Sequence, residues 1–210
     1  MNPENLMREE ICRLAKSLFE RGYTCGGSGN ISARLEDGGM LVTPTGSCMG
    51  WLDPARLSKF DASGQLIDGD KPTKEMPLHT AFYDTRGSKA GAVVHLHSTH
   101  SVAYSVLPEA NVDNFLPPVT PYSIMQCGRV KLLPYFRPGD PRMGEAVREL
   151  EGQRSAVMLA NHGPVVSAAS LKSAVYAIEE LEETAKLALL TRNLNPNLLT
   201  EEQIAELVSP

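Results

Sequence analysis

Stretches with helical periodicity alternate along this chain with short strand-like segments joined by hairpin turns, and that alternation restricts the fold to helices packed against a sheet. Leu6, Ile11, Leu14, Ala15, Leu18 and Phe19 recur at helical spacing on a charged background, with Gly22 as a stop signal, and predict an amphipathic helix over 4–21. Glu36-Asp37-Gly38-Gly39 has the composition of a hairpin turn between strands at 31–35 and 40–43. Asp61-Ala62-Ser63-Gly64 repeats the pattern between 57–60 and 65–67, and 76–84 reads as a helix. Ala92-Val93-Val94 runs into His95-Leu96-His97 and predicts a buried strand. Helices are expected over 98–107 and 141–150 with a strand at 130–133 between them, and strands at 156–160 and 164–166 bracket Asn161-His162-Gly163. A long helix over 171–192 carries Val175, Ile178, Leu181, Ala185 and Leu189 on one face. Thr200 and Gln203 form a capping-box pair for a short terminal helix. The expected fold class is α/β: a three-layer αβα arrangement, with a central, mostly antiparallel sheet flanked by helices.

The 210 residues, 42% of them hydrophobic and 21% charged, suit a single domain over 1–210 with an ample core. A formal net charge of -5, with no block of Lys or Arg, argues against a nucleic-acid partner. No apolar run reaches the roughly 18 residues of a membrane span, and the charged N-terminus lacks the apolar centre of a signal peptide, so a cytoplasmic protein is expected. Cysteines at 12, 25, 48 and 127 show no close pairing. Any bound metal must therefore be held by histidines and carboxylates.

His95-Leu96-His97 is the sharpest chemical signal, because residues two apart on a strand face the same way and two imidazoles so placed can share one metal. His162, in the turn between two strand-like segments, is the third candidate; three neutral imidazoles with an open fourth position suit a catalytic zinc site. The competing reading for each is a hydrogen-bonded core histidine. His100 is left over, and His79, on the helix after Glu75, is either a packing residue or a support for the site. Glu75 lies between Pro72 and Pro77 at a loop-to-helix turn. It can meet a metal, act in proton transfer, or simply complement the helix dipole. The glycine- and hydroxyl-rich loops Gly26-Gly27-Ser28-Gly29-Asn30 and Thr43-Pro44-Thr45-Gly46-Ser47 can turn backbone amides toward a phosphate, or be ordinary turns.

Taken in order, Ser28-Gly29-Asn30-Ile31-Ser32, Thr43-Pro44-Thr45-Gly46, Pro72-Thr73-Lys74-Glu75, Val94-His95-Leu96-His97-Ser98 and Asn161-His162-Gly163 resemble the class II aldolase and adducin family, as does 179–185 in the long helix. The resemblance covers nearly the whole chain. It implies a zinc enzyme with His95, His97 and His162 as ligands, and with Glu75 as both resting-state ligand and proton-transfer residue. It also implies a substrate phosphate site at Gly29, Asn30, Thr45, Gly46 and Thr73, and a homotetramer with active sites between subunits.

One departure is informative: where the sugar-phosphate aldolases of the family usually carry two serines before the acidic residue, this chain has Thr73 and Lys74. Lys74 then becomes a further candidate contact for phosphate or carboxylate. With Pro117-Pro118, 134–140, 159–164 and 179–185, this departure looks closest to a subgroup that decarboxylates 3-oxo-tetronate 4-phosphates, phosphorylated four-carbon acid sugars. In such a substrate the carboxylate is β to a ketone, so loss of carbon dioxide leaves an enediolate over carbons 2 and 3. An aldolase that makes dihydroxyacetone phosphate reaches the same enediolate by expelling an aldehyde. The resemblance therefore implies the decarboxylase, with a sugar-phosphate aldolase or epimerase as the alternative and a non-catalytic adducin-like binding module as a distant third.

Overall fold

The structure is a computed structural model and describes residues 2–208. Asn2 accepts a hydrogen bond from the Glu4 N–H, and Pro3 fills the first turn where no amide donor is needed, so helix α1 (Pro3–Glu20) starts there. The chain then forms β1 (Asn30–Arg34), β2 (Met40–Val42), β3 (Ser58–Phe60), β4 (Leu66–Asp68), α2 (Met76–Arg86), β5 (Ala92–His95), α3 (Thr99–Ser105) and α4 (Pro121–Cys127). It closes with β6 (Lys131–Leu133), α5 (Arg142–Arg148), β7 (Ala156–Leu159), β8 (Gly163–Ala168), α6 (Leu171–Thr191) and α7 (Glu201–Val208). Both expected hairpins form. The capping box at α7 forms as well, through Thr200 and Gln203.

Among the described residues the eight strands make one sheet in the order β4-β3-β2-β1-β5-β8-β7-β6. Every neighbouring pair is antiparallel except β6 and β7, whose parallel pairing follows from the crossover helix α5 that joins them. Alternation along the central strands sorts their side chains into two cores. Ala92, Val94 and Leu96, with Met158 and Val166, pack against α1, α3, α4 and α6. Val93, Val157, Leu159 and Val165 pack against α2 and α5 on the other face. The three-layer, mostly antiparallel expectation is therefore met, and β5 is covered on both sides.

The differences are local. Strand β5 ends at His95 rather than His97: after the Leu96 N–H donates to Pro164 the chain leaves the ladder to begin α3. Helices α3 and α5 are shorter than expected by about a turn. Helix α4 has no counterpart among the expected elements: it is two turns long, follows Pro117 and Pro118 and begins at Pro121, and prolines read as punctuation.

Two glycines let β5 come close to its neighbours. A Cβ on Gly29, where φ is 84°, would lie 3.0 Å from the His95 carbonyl oxygen. One on Gly163 would lie 2.0 Å from the Leu96 carbonyl oxygen and 3.2 Å from His95 Cε1. Gly163→Ala must therefore push β8 and the 95–97 segment apart. Chemical denaturation should show a loss of roughly 1–3 kcal/mol or more, as for overpacked interiors; unchanged stability would contradict the close approach.

Candidate metal centre

Strand register builds the site. Asn30 on β1 is paired with His95 on β5, and His95 is paired on its other side with Val165 on β8. The His95 Nδ1 donates to the Pro164 carbonyl at 2.9 Å, which fixes the tautomer and leaves Nε2 as a free lone pair. His97 Nε2 lies 3.1 Å from it. Asn161, held in the left-handed region at φ 58°, turns the chain between β7 and β8 and presents His162, whose Nε2 is 3.1 Å from that of His97. Glu75, the residue before α2, completes the group with Oε2 3.3 Å from His95 Nε2 and Oε1 3.3 Å from His162 Nε2. The four donor atoms lie within 4.8 Å of one another.

The donor set fits a divalent cation. Burial is the main cause that pushes His95 and His97 toward their neutral forms, His97 to about 3. Burial also opposes the charge on Glu75, but the His95 and His162 rings and the Asn30 amide outweigh it and hold the carboxyl well below the usual range. Neutral imidazoles and an ionised carboxylate are the forms that bind metal. Bonds of about 2.0–2.1 Å to a tetrahedral ion would space ligand atoms by about 3.3 Å, close to the separations between the Nε2 atoms here.

A directional hydrogen-bond chain supports Glu75 from behind. Asn30 Nδ2 donates to Glu75 Oε2 at 2.7 Å, so Asn30 Oδ1 must accept from His79 Nε2. His79 Nδ1 then accepts from the Ser32 hydroxyl at 2.7 Å, and Ser32 in turn accepts from Tyr83 at 2.7 Å. Every donor points toward the carboxylate. His79 is fully buried and also hydrogen-bonded to the amide that holds Glu75, so it meets both expectations for it, as packing residue and as neighbour of the group. Ser32 and Tyr83 were not anticipated, although Glu75, His79 and Tyr83 recur at four-residue steps, the spacing of one helix face.

The same cavity opens onto the loops. Gly27, Ser28, Gly29, Asn30, Thr45, Gly46, Thr73, Lys74, Glu75 and His97 line it together with Pro138 and Gly139. An isolated bridge between Pro44 and Pro72 ties the two loops together, with the Thr45 N–H donating to Lys71 and the Thr73 N–H to Thr43. Thr73 Oγ1 accepts from the Glu75 N–H. Asn30 is less free than its place in a glycine-rich loop suggests: its side-chain amide is already bound to Glu75 and His79, which leaves one N–H for a ligand. Lys74 is exposed and makes no ion pair among the described residues, while His100 is held by Glu182, away from the metal group.

Residues 9–189 match the class II aldolase and adducin N-terminal domain. The chain belongs to this family. Its relatives include a 3-oxo-tetronate 4-phosphate decarboxylase from Escherichia coli strain K12, 50% identical over 98% of this chain and 97% of that protein. An L-fuculose phosphate aldolase from Methanococcus maripaludis is 36% identical over 88% of this chain and 96% of its own length. The crystal structure of YgbL from Escherichia coli superposes with a TM-score of 0.94 at 48% identity, over 98% of this chain and 99% of that one. The class II aldolase fold and the family resemblance read from the motifs are both borne out.

His79 supplies a pH test. Burial is the main cause that depresses it, to about 3, whereas the unfolded chain takes up that proton near the ordinary histidine value of about 6.5. Between those values the unfolded state binds the extra proton, so this residue's share of stability falls as pH falls, by about 1.4 kcal/mol per unit. In metal-free protein, His79→Gln should flatten the acid slope of unfolding free energy by about one proton. Identical slopes in urea titrations of the two proteins would refute this origin of the acid sensitivity.

Proposed function

We propose that this protein is a metal-dependent carboxy-lyase that converts a 3-oxo-tetronate 4-phosphate into dihydroxyacetone phosphate and carbon dioxide, in four-carbon acid sugar catabolism. The observation that carries the reading is the shared cavity: Glu75 and His97 open onto the same space as Gly29, Asn30, Thr45, Gly46, Thr73 and Lys74. The relatives named as decarboxylases, similar along nearly their whole length, support the choice of reaction. We assign His95, His97, His162 and Glu75 as ligands of Zn2+, in one catalytic domain spanning 1–210. By family resemblance the enzyme is a homotetramer, and we place it in the cytoplasm.

Held by His95, His97, His162 and Glu75, a bound ion would supply positive charge to offset the negative charge that develops on the substrate. The backbone amides of the two loops hold the phosphate, with Thr73 and Lys74 at the cavity wall. That orients the carboxylate for release. Loss of carbon dioxide leaves an electron pair at carbon 2, and one proton must be supplied there to give the ketone product. Glu75 is the acid of the cavity, so we assign it the transfer. At rest its imidazole neighbours and the Asn30 amide hold it ionised against the effect of burial, so the proton it passes to carbon 2 has to reach it first from water in the cavity. An aldolase remains the second reading, favoured by the Methanococcus relative, because it passes through the same enediolate.

The deciding experiment supplies the erythro and threo 3-oxo-tetronate 4-phosphates and L-fuculose 1-phosphate in turn, and assays carbon dioxide and dihydroxyacetone phosphate. Equal amounts of both products from one acid sugar are expected. Dihydroxyacetone phosphate from fuculose 1-phosphate alone would establish the aldolase instead. In the same assay Glu75→Gln should retain shape and lower kcat by about 100- to 10,000-fold, as expected for removal of general acid catalysis. Undiminished kcat would remove Glu75 from proton transfer.

Lys74→Ser separates binding from chemistry. A charge-assisted hydrogen bond contributes about 1.5–3 kcal/mol, so kcat/KM should fall at least about tenfold. A rise in KM alone assigns Lys74 to uniform binding of substrate, as a phosphate contact would give, and a fall in kcat assigns it to the departing carboxylate. Wild-type kinetics would leave Lys74 without a role.

A further inference from the structure

Of the three imidazoles, His95 has an outer hydrogen bond to the Pro164 carbonyl, whereas the Nδ1 of His162 is buried without a partner. Among the described residues, the hydrogen bonds of His97 run only to the other two rings. The positions of His97 and His162 are therefore set by their backbones, and both backbones are tied to helix α3. The helix begins two residues after His97. Its far end meets the His162 turn, where the Asn161 N–H donates to Ser105 Oγ at 3.1 Å.

Helix α3 is only seven residues long, and the side chain of its preceding residue does not cap it: Ser98 Oγ donates instead to the Tyr23 carbonyl. The cap comes from α6. Glu182, 4% exposed, accepts from the His100 N–H and Nδ1 through Oε1, each at 2.8 Å. Through Oε2 it accepts from the Ser101 N–H at 2.8 Å and from the Ser101 hydroxyl. A buried carboxylate thus takes up two amides that the first turn of a helix leaves unsatisfied, together with two side-chain donors.

We infer that Glu182 is a positioning residue for the metal centre: it locks α3 as a strut that holds His97 at one end and His162 at the other. The inference rests on the metal-binding reading proposed above. It assigns a role to the 179–185 stretch, which contributes no ligand. Loss of the lock leaves all four ligands in place but lets two of them drift, and metal affinity is sensitive to such drift.

The test measures metal affinity directly, by chelator competition with Zn2+ and by the visible absorption of the Co2+-loaded protein. Glu182→Gln keeps the shape but cannot accept from all four donors, and should weaken Zn2+ binding roughly 10- to 100-fold and alter the Co2+ spectrum. Ser105→Ala cuts the other end of the strut, and should weaken binding in the same direction even if Glu182→Gln does not fold. Leu57→Ala serves as a control, because it opens a cavity beside β3, three strands from β5. It should lower stability and leave affinity unchanged. Wild-type affinity in a folded Glu182→Gln, or in Ser105→Ala, overturns the inference while the metal centre stands. An equal loss in Leu57→Ala overturns it too, by showing that affinity follows global stability. A wild-type protein that binds no metal overturns both readings.

Discussion

Three imidazole lone pairs and a carboxylate gathered within 4.8 Å repel one another, and much of the architecture serves to hold them against that repulsion. Each group comes from a different kind of support. His95 ends a strand paired on both sides, and Glu75 stands at the start of a helix whose first turn favours negative charge. His162 rides on a turn that a left-handed asparagine makes possible. A cation is the natural partner for such a cluster, since it converts mutual repulsion into shared attraction.

The sheet makes this gathering possible because its centre is buried on both faces. Residues of one parity on β5, β7 and β8 fill the core under α1, α3, α4 and α6, while those of the other fill the core under α2 and α5. His95 shares its parity with Val93 and so belongs to the α2 side. That is where Glu75 and the polar chain from Tyr83 through Ser32, His79 and Asn30 are found. Those buried polar groups are tolerated because each finds a hydrogen-bond partner.

Much of this was legible in the residues, for identifiable reasons. A period of two brought His95 and His97 together on paper, although β5 ends at His95 and His97 lies just beyond the ladder; the hairpins followed from their turn residues, and α1 and α6 from long apolar stripes. Helix α4 was not legible, since a two-turn helix among prolines carries too little periodicity to stand out. The task of Glu182 was invisible too, because a carboxylate in a long helix looks like a solvated charge until α3 is seen lying on it. The full use of the Asn30 amide likewise depended on a partner 49 residues away, His79, which no local pattern reveals.

The hydrogen-bond chain behind Glu75 has a polarity, and this restricts how the carboxylate can communicate with its surroundings. Asn30 is a link that cannot ionise, so it transmits orientation but no proton between His79 and Glu75. Tyr83 and His79 can therefore fix the acid in place without draining or recharging it. Any proton that Glu75 gains or gives up has to cross on the side of the cavity, and the rigid interior behind it works as an insulator.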